Sequence, residues 1–298
     1  MWFISATWPT RWPNASKWLR ALHIEDYKIG SKANQFIMLL TLDIGNTNIV
    51  AGLFNGGELV NTWRLATRRQ CTGDEMAIFL KSTFELYDLV FASVEGIVIS
   101  SVVPSLTPEA EKMAQKYFQC PWLVVNSQTD IGLKNAYDNP REVGADRLVN
   151  GIAAWKKYNK TCVIADFGTA TTVDAVSQDG TYLGGSLAPG IHISATALFD
   201  AAAKLPRVER LELLEAPHSA LGKNTMHSVQ AGIIFGYAGL VKELVARCLD
   251  ELDDPDVVTI ATGGLAEVIA PLVPQIQHIE PHLTLDGLRL IWERNRGK

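Results

Sequence analysis

The chain has 298 residues, 47% of them apolar and 20% charged, with a net charge of −5. A chain of that size and apolarity can bury one large core or two medium ones, which excludes a peptide-sized scaffold and a disordered segment. The acidic balance argues against a nucleic-acid-binding surface as the main business, and the four scattered cysteines (Cys71, Cys120, Cys162, Cys248) offer neither a disulfide framework nor zinc-ligand spacing, which fits a reducing, cytoplasmic compartment.

The first 37 residues stand apart. They hold four of the eight tryptophans, Trp2, Trp8, Trp12 and Trp18, all within 18 residues, and five Lys/Arg against two Asp/Glu, leaving the rest of the chain at a net of −8. Ser5 and Thr7 interrupt the apolar run a secretory signal requires, and Pro9 and Pro13 break a long amphipathic helix. Residues 1–37 are therefore expected to be an extension, or a start assigned too far upstream, without packed structure; docking through the tryptophans is the rival reading. No run of about 18 apolar residues marks a membrane span.

From Met38 the chain reads as strands 39–44 and 49–54, a turn at Asn55-Gly56-Gly57, and a third strand over 58–66. Thr72 and Glu75 form a capping box for a helix over 72–89. Strands over 95–101 and 122–125 flank a helix opened by Pro108, and a further helix is expected from about Arg141 to Tyr158. Strands then recur at 161–166, 171–176 and 181–187, with a turn at Gln178-Asp179-Gly180. Leu42-Asp43-Ile44-Gly45-Asn46-Thr47-Asn48 aligns with Ala165-Asp166-Phe167-Gly168-Thr169-Ala170-Thr171. Such repetition predicts two similar α/β domains, 38–150 and 151–298, each offering an Asp-bearing turn to a shared cleft. Residues 224–252 carry a helical apolar face, with Gly232, Gly236 and Gly239 marking close helix contact.

Small residues in those turns let backbone N–H groups approach a phosphate, and a carboxylate beside a polyphosphate needs a cation between them, for which oxygen-ligated Mg²⁺ is suited. Either turn alone reads equally well as a tight hairpin whose Asp satisfies local N–H groups; the matched pair favours a nucleoside-triphosphate cleft. In Asn139-Pro140-Arg141-Glu142-Val143-Gly144-Ala145-Asp146-Arg147, Asp146 can accept a hydroxyl proton while Arg147 holds an acceptor anion. An exposed charged helix turn is an equal reading. Val257–Ile260 followed by Ala261-Thr262-Gly263-Gly264 lets a flat ring lie against backbone, or is a plain strand-to-helix turn.

The ordered set Asp43–Asn48, Pro140 through Gly144-Ala145-Asp146-Arg147, Asp166–Thr171, Gly222–Thr225, Thr262–Ala266 and Leu283–Leu290 resembles the type III pantothenate kinases. That family is a branch of the superfamily of acetate and sugar kinases, heat-shock chaperone ATPases and actin. The resemblance covers 38–298. It implies two duplicated actin-like, ribonuclease H-like domains with an interdomain nucleotide cleft, and ATP-dependent phosphorylation of the terminal hydroxyl of pantothenate, the first step towards coenzyme A. It implies ATP contacts from Asp43, Ile44, Gly45, Asn46, Thr47, Asn48, Ile49, Val50 and Thr169, with Asp43 near Mg²⁺. Pantothenate contacts fall to Tyr137, Gly144, Ala145, Asp146, Arg147 and Thr225, with Asp146 as catalytic proton acceptor. Asp166 matches a ligand of K⁺ or NH₄⁺. A cytoplasmic homodimer that binds neither nucleic acid nor membrane is also implied. Two other readings stand beside it: an ATP-binding regulatory relative without catalysis, and a superfamily kinase for a sugar or acetate.

Overall fold

The computed structural model describes residues 38–202 and 216–296. The expected extension over 1–37 lies outside the described residues.

Strand β1 (Met38–Ile44) is buried at every position but Asp43, which is half-buried. It lies at the centre of a five-stranded sheet with β2 (Asn48–Asn55), β3 (Glu58–Ala66), β4 (Val94–Ser101) and β5 (Trp122–Val124) in the order β3-β2-β1-β4-β5. The pairs β1:β2 and β2:β3 are antiparallel, while β1:β4 and β4:β5 are parallel. A second sheet repeats the plan. Strands β7 (Cys162–Phe167), β8 (Ala170–Val176), β9 (Thr181–Pro189), β10 (Val258–Gly263) and β11 (His278–Ile279) take the order β11-β10-β7-β8-β9, with β6 (Lys134–Asn135) added at the β9 edge. Its four equivalent pairings have the same directions. Even the irregularities match: the register shifts between Leu53 and Phe54 in β2, and between Ala175 and Val176 in β8. The duplication expected from the two Asp turns is thus built into both sheets.

Alternation sorts the side chains of the central strands. Met38, Leu40, Leu42 and Ile44 pack with Met76, Leu80 and Phe84 of α1 (Gly73–Glu85) and with Ala110 and Met113 of α2 (Thr107–Met113). Leu39 belongs to the opposite face, with Val149 and Ile152 of α3 (Ala145–Tyr158) and Leu285, Leu288 and Ile291 of α7 (Leu283–Asn295). In β7, Val163, Ala165 and Phe167 face α5 (Thr225–Leu252), and Cys162 and Ile164 face Ala153 and Ala154 of α3. Two further α-helices among the described residues are α4 (Ile191–Ala201) and α6 (Ala266–Ile269). Asp43 shares the strand face of Leu39 and Asp166 that of Ile164, so both carboxylates are aimed at the α3 side.

Several expectations need amendment. The helix expected from Arg141 to Tyr158 is broken: Asn139 caps a single 3₁₀ turn at Pro140–Glu142, Val143 is extended, and α3 begins only after Gly144. Val143 is 8% exposed and packs with Ile164 and Tyr182, and anchoring it there pulls the backbone out of the helix. Helix α1 ends at Glu85, short of residue 89. Gly232, Gly236 and Gly239 meet nothing within 4 Å of an added Cβ, so among the described residues no helix packs closely against them. Helix α5 is long and apolar enough to cross a membrane by length and composition, which the sequence reading did not anticipate. Its Ile234, Tyr237, Val241 and Val245 pack on β7, as a core helix does.

Helix α7 crosses α3 at Gly287, where an added Cβ would lie 2.2 Å from the Val149 carbonyl oxygen and 2.7 Å from its Cγ1. Gly287→Ala is expected to cost about 1–3 kcal/mol through overpacking, read as a lower melting temperature and urea midpoint. An unchanged midpoint would show that the helix pair can yield at this crossing.

Candidate active site

The two predicted turns meet. Gly45, Asn46 and Thr47 join β1 to β2, with the Gly45 N–H donating to the Asn48 carbonyl at 3.0 Å and the Thr67 hydroxyl donating to the Gly45 carbonyl at 2.7 Å. Gly168 and Thr169 join β7 to β8, with the Gly168 N–H donating to the Ala170 carbonyl at 3.1 Å. The Thr47 and Thr169 hydroxyls lie 3.0 Å apart, one from each sheet. Asn46, Thr47, Gly168 and Thr169 are exposed, whereas Ile44 and Ile49 point into the core and Val50 is half-buried against α7. Of the predicted ATP contacts, those three can therefore act only through backbone or by shaping the turn.

Asp43 sits one residue from the end of β1, paired in register with Val50 and Ser100; Asp166 sits one residue from the end of β7, paired with Thr172 and Thr262. Between them, Asp146 is the second residue of α3. The three carboxylates act on one another. Burial pushes Asp43 up to about 7, with Asp146 and Asp166 adding to the rise and Ser100 opposing it. Asp166 is likewise pushed up to about 7 by burial, then by Asp146, against the Asn150 amide that donates to its Oδ2 at 2.9 Å. Burial also raises Asp146, opposed by the Arg147 N–H that donates to its Oδ1 at 2.8 Å.

Gly144 gives this carboxylate room, because a Cβ there would lie 2.5 Å from Asp146 Oδ1 in its present position. Gly263, at φ +90°, makes the same concession on the other side: a Cβ would lie 2.5 Å from Asp166 Oδ1. Tyr137 lies beside Tyr182, with ring centroids 6.3 Å apart, and favours the charged form of Arg147. Thr225 opens α5 in an exposed position, and no hydrogen bond or ring contact among the described residues joins it to Asp146, Arg147 or Tyr137.

Sequence reasoning passed over several participants. Asn150 lies four residues after Asp146, hence on the same face of α3, and its Oδ1 accepts from the Thr284 hydroxyl at 2.7 Å. Asp174 is 2% exposed and pairs with Arg147. A lone charge inside the apolar strand 171–176 was the available signal.

No three His, Cys, Asp or Glu side chains among the described residues are placed to hold a metal ion unaided. The crowded, incompletely neutralised carboxylates instead suit a hard cation that arrives with phosphate and water as its other ligands.

A profile described as type III pantothenate kinase matches residues 39–247. The type III pantothenate kinase of Geobacter sulfurreducens is 48% identical over 259 residues, covering 87% of this chain and 100% of the relative. That of Citrifermentans bemidjiense is 48% identical over 260 residues, with the same coverage of each.

The chain belongs to the type III pantothenate kinase family.

Among solved structures, a Listeria monocytogenes protein named for N-acetylmannosamine kinase activity aligns at TM-score 0.53 and 12% identity, covering 87% of this chain and all of that one. At that identity it supports the fold alone, the two-sheet α/β architecture described above. The type III pantothenate kinase relatives also align along their whole lengths, at four times that identity.

The raised carboxylates have a measurable consequence. Unfolded aspartates titrate near ~3.9, so the ligand-free folded protein holds more protons than the unfolded chain between about pH 4 and 7. Its stability therefore falls as pH rises through that window. Asp43→Asn removes one such charge. The ligand-free variant is expected to melt about 2–4 °C above the wild type at pH 8, with the difference vanishing near pH 4, while ATP-dependent turnover is lost. A variant that melts lower than wild type at pH 8 would contradict the crowding of these carboxylates.

Proposed function

We propose that this protein phosphorylates the terminal hydroxyl of pantothenate with ATP, opening the route to coenzyme A. The observation that carries the reading is the convergence of Asp43, Asp166 and Asp146 between two touching phosphate-type turns, in a chain of this family.

In-line phosphoryl transfer is mainly a matter of positioning and charge neutralisation. The Gly45–Asn48 and Gly168–Thr169 turns face each other and supply N–H and hydroxyl groups for the phosphates, in keeping with anion binding by consecutive backbone amides. A divalent ion, held beside Asp43 and carrying phosphate and water ligands, supplies charge neutralisation when bound. Asp166, fixed by Asn150 and pressed against Gly263, serves as a ligand of K⁺ or NH₄⁺ in this reading.

Asp146 takes the hydroxyl proton. Burial raises its affinity for that proton, which suits a general base, and Gly144 leaves room for its carboxylate. Tyr137, Ala145 and Arg147 line the acceptor side. Thr225 completes that side from a second copy, in a cytoplasmic homodimer where the open surface at Gly232, Gly236 and Gly239 gives α5 room to pack.

A coupled ADP-release assay over pantothenate, acetate and hexoses tests the reading, and turnover restricted to pantothenate is the expected result. A sugar or acetate preference, or ATP binding without turnover, would overturn it. In the same assay Asp146→Asn is expected to lose at least about 10²-fold in kcat while still binding ATP; near-normal turnover would remove Asp146 from the base role. Replacing K⁺ by Na⁺ is expected to depress turnover severalfold, and undiminished activity would count against the monovalent-cation role of Asp166.

A further inference from the structure

Arg147 is not a free cation waiting for an anionic acceptor. Its side chain is 11% exposed, its Nε donates to Asp174 Oδ1 at 2.8 Å, and its Nη2 lies 2.6 Å from the same oxygen. Burial works against the guanidinium charge, but the bonds to Asp174 hold its pKa above the ordinary arginine value, with Tyr182 and Tyr137 contributing in the same direction.

Asp174 is itself fully engaged. The Tyr182 hydroxyl donates to Oδ1 at 2.7 Å and the Thr172 hydroxyl donates to Oδ2 at 2.8 Å. Asp174 is 2% exposed, Tyr182 0% and Thr172 8%. The next strand closes over them: a Cβ at Gly185 would lie 2.7 Å from Asp174 Oδ1 and 2.2 Å from the Val173 carbonyl oxygen, so only glycine lets β9 pass. Alternation puts Thr172 and Asp174 on the face of β8 that carries Val176, which packs with Ala153 and Ala154 of α3. The carboxylate therefore reaches α3 from beneath, while the adjacent Asp146 lies on the cleft side.

This arrangement leaves Asp174 no proton or ligand to handle. Its donors occupy both oxygens and its surroundings exclude water. What it determines is where the Arg147 guanidinium lies, since one anchored oxygen holds the planar, rigid group by a hydrogen bond at Nε and an ion-pair contact at Nη2. Tyr137, proposed above to line the acceptor side, favours the same charged guanidinium. We infer that Asp174 is a positioning residue that, through Arg147 and with Tyr182 and Thr172 as its own braces, preorganises the acceptor pocket and sets its selectivity for an acceptor bearing a carboxylate. The inference rests on the proposed acceptor pocket and deepens it.

Steady-state kinetics on the full-length protein with ATP and pantothenate tests this. Asp174→Asn keeps the shape and removes the charge; it is expected to raise the acceptor KM about tenfold or more, with the ATP KM within about twofold of wild type and kcat reduced less than the acceptor KM is raised. Tyr182→Phe and Thr172→Val each remove one brace and are expected to raise the acceptor KM about twofold to fivefold; they decide the matter if Asp174→Asn does not fold. The double variant Arg147→Ala/Asp174→Asn is expected to match Arg147→Ala alone, because Asp174 acts through Arg147. Independent, multiplying effects would overturn the inference, as would a normal acceptor KM in folded Asp174→Asn, or in both brace variants where Asp174→Asn does not fold. Parallel losses in kcat for both substrates with unchanged KM values would show a purely structural role and also overturn it. Failure of the wild type to use pantothenate would instead count against the acceptor assignment, which separates the two.

Discussion

Everything in the site depends on one helix being buried on two sides. Helix α3 gives Val149 and Ile152 to the core shared with the first sheet, and Ala153 and Ala154 to the core of the second. A helix wedged in this way cannot present a conventional polar face along its middle, so its charges fall at its two ends, Asp146 and Arg147 in the first turn and Lys156 and Lys157 in the last. The central strands of both sheets aim their penultimate Asp at the same place. The sheets bring the two phosphate-type turns together, and α3 brings the acceptor chemistry to them.

The consequence is electrostatic. Burial near one another disfavours ionisation of Asp43, Asp146 and Asp166 alike. The protein limits this with a neutral donor, Asn150 for Asp166, while Ser100 beside Asp43 favours its charged form, and it keeps its guanidinium on Asp174 rather than on the trio. Such a cleft is destabilised when empty at neutral pH and favours ligands that arrive with cations. Metal-bound nucleotide has that character; free nucleotide would add repulsion. Selectivity for the metal complex then follows from the same burial that defines the core.

How much of this was legible in the sequence depends on the range over which each feature is determined. Asp43 and Asp166 were legible because each sits in a local strand–Asp–Gly turn, and the repeat pointed to two equivalent sheets. The capping box at Thr72 and Glu75 was legible for the same reason and is present with both reciprocal bonds. The break before α3 was not. Arg141 to Tyr158 has helical composition, and only the burial of Val143 against Ile164 and Tyr182, residues from another part of the chain, overrides it. Asp174 lay hidden because β8 reads as one apolar strand; its partners come from α3 and β9, and no local spacing links them. Gly144 falls inside the helix expected from Arg141, yet it is the residue before α3, where its small size leaves room for the carboxylate of Asp146.

Duplication explains the shared plan, and the registers show where the two halves part company. Ser101 opposes Ile44 in the first sheet at the position where Gly263 opposes Phe167 in the second. Sheet one therefore continues into Val102, whose N–H donates to the Ile44 carbonyl at 3.0 Å, and the strand end is closed by its own backbone. Sheet two instead turns at Gly263, with φ +90° and its Cα against the Asp166 carboxylate, into Gly264, where an added Cβ would meet nothing nearer than Arg64 Nη1 at 3.7 Å. Open backbone of that kind is what a flat ring needs, and it exists at one of two topologically equivalent sites. In the proposed reading the nucleotide base lies on the second sheet alone, with the phosphates running towards the paired turns and Asp43, so that a difference as small as serine and valine against two glycines gives equivalent folds a direction for phosphoryl transfer.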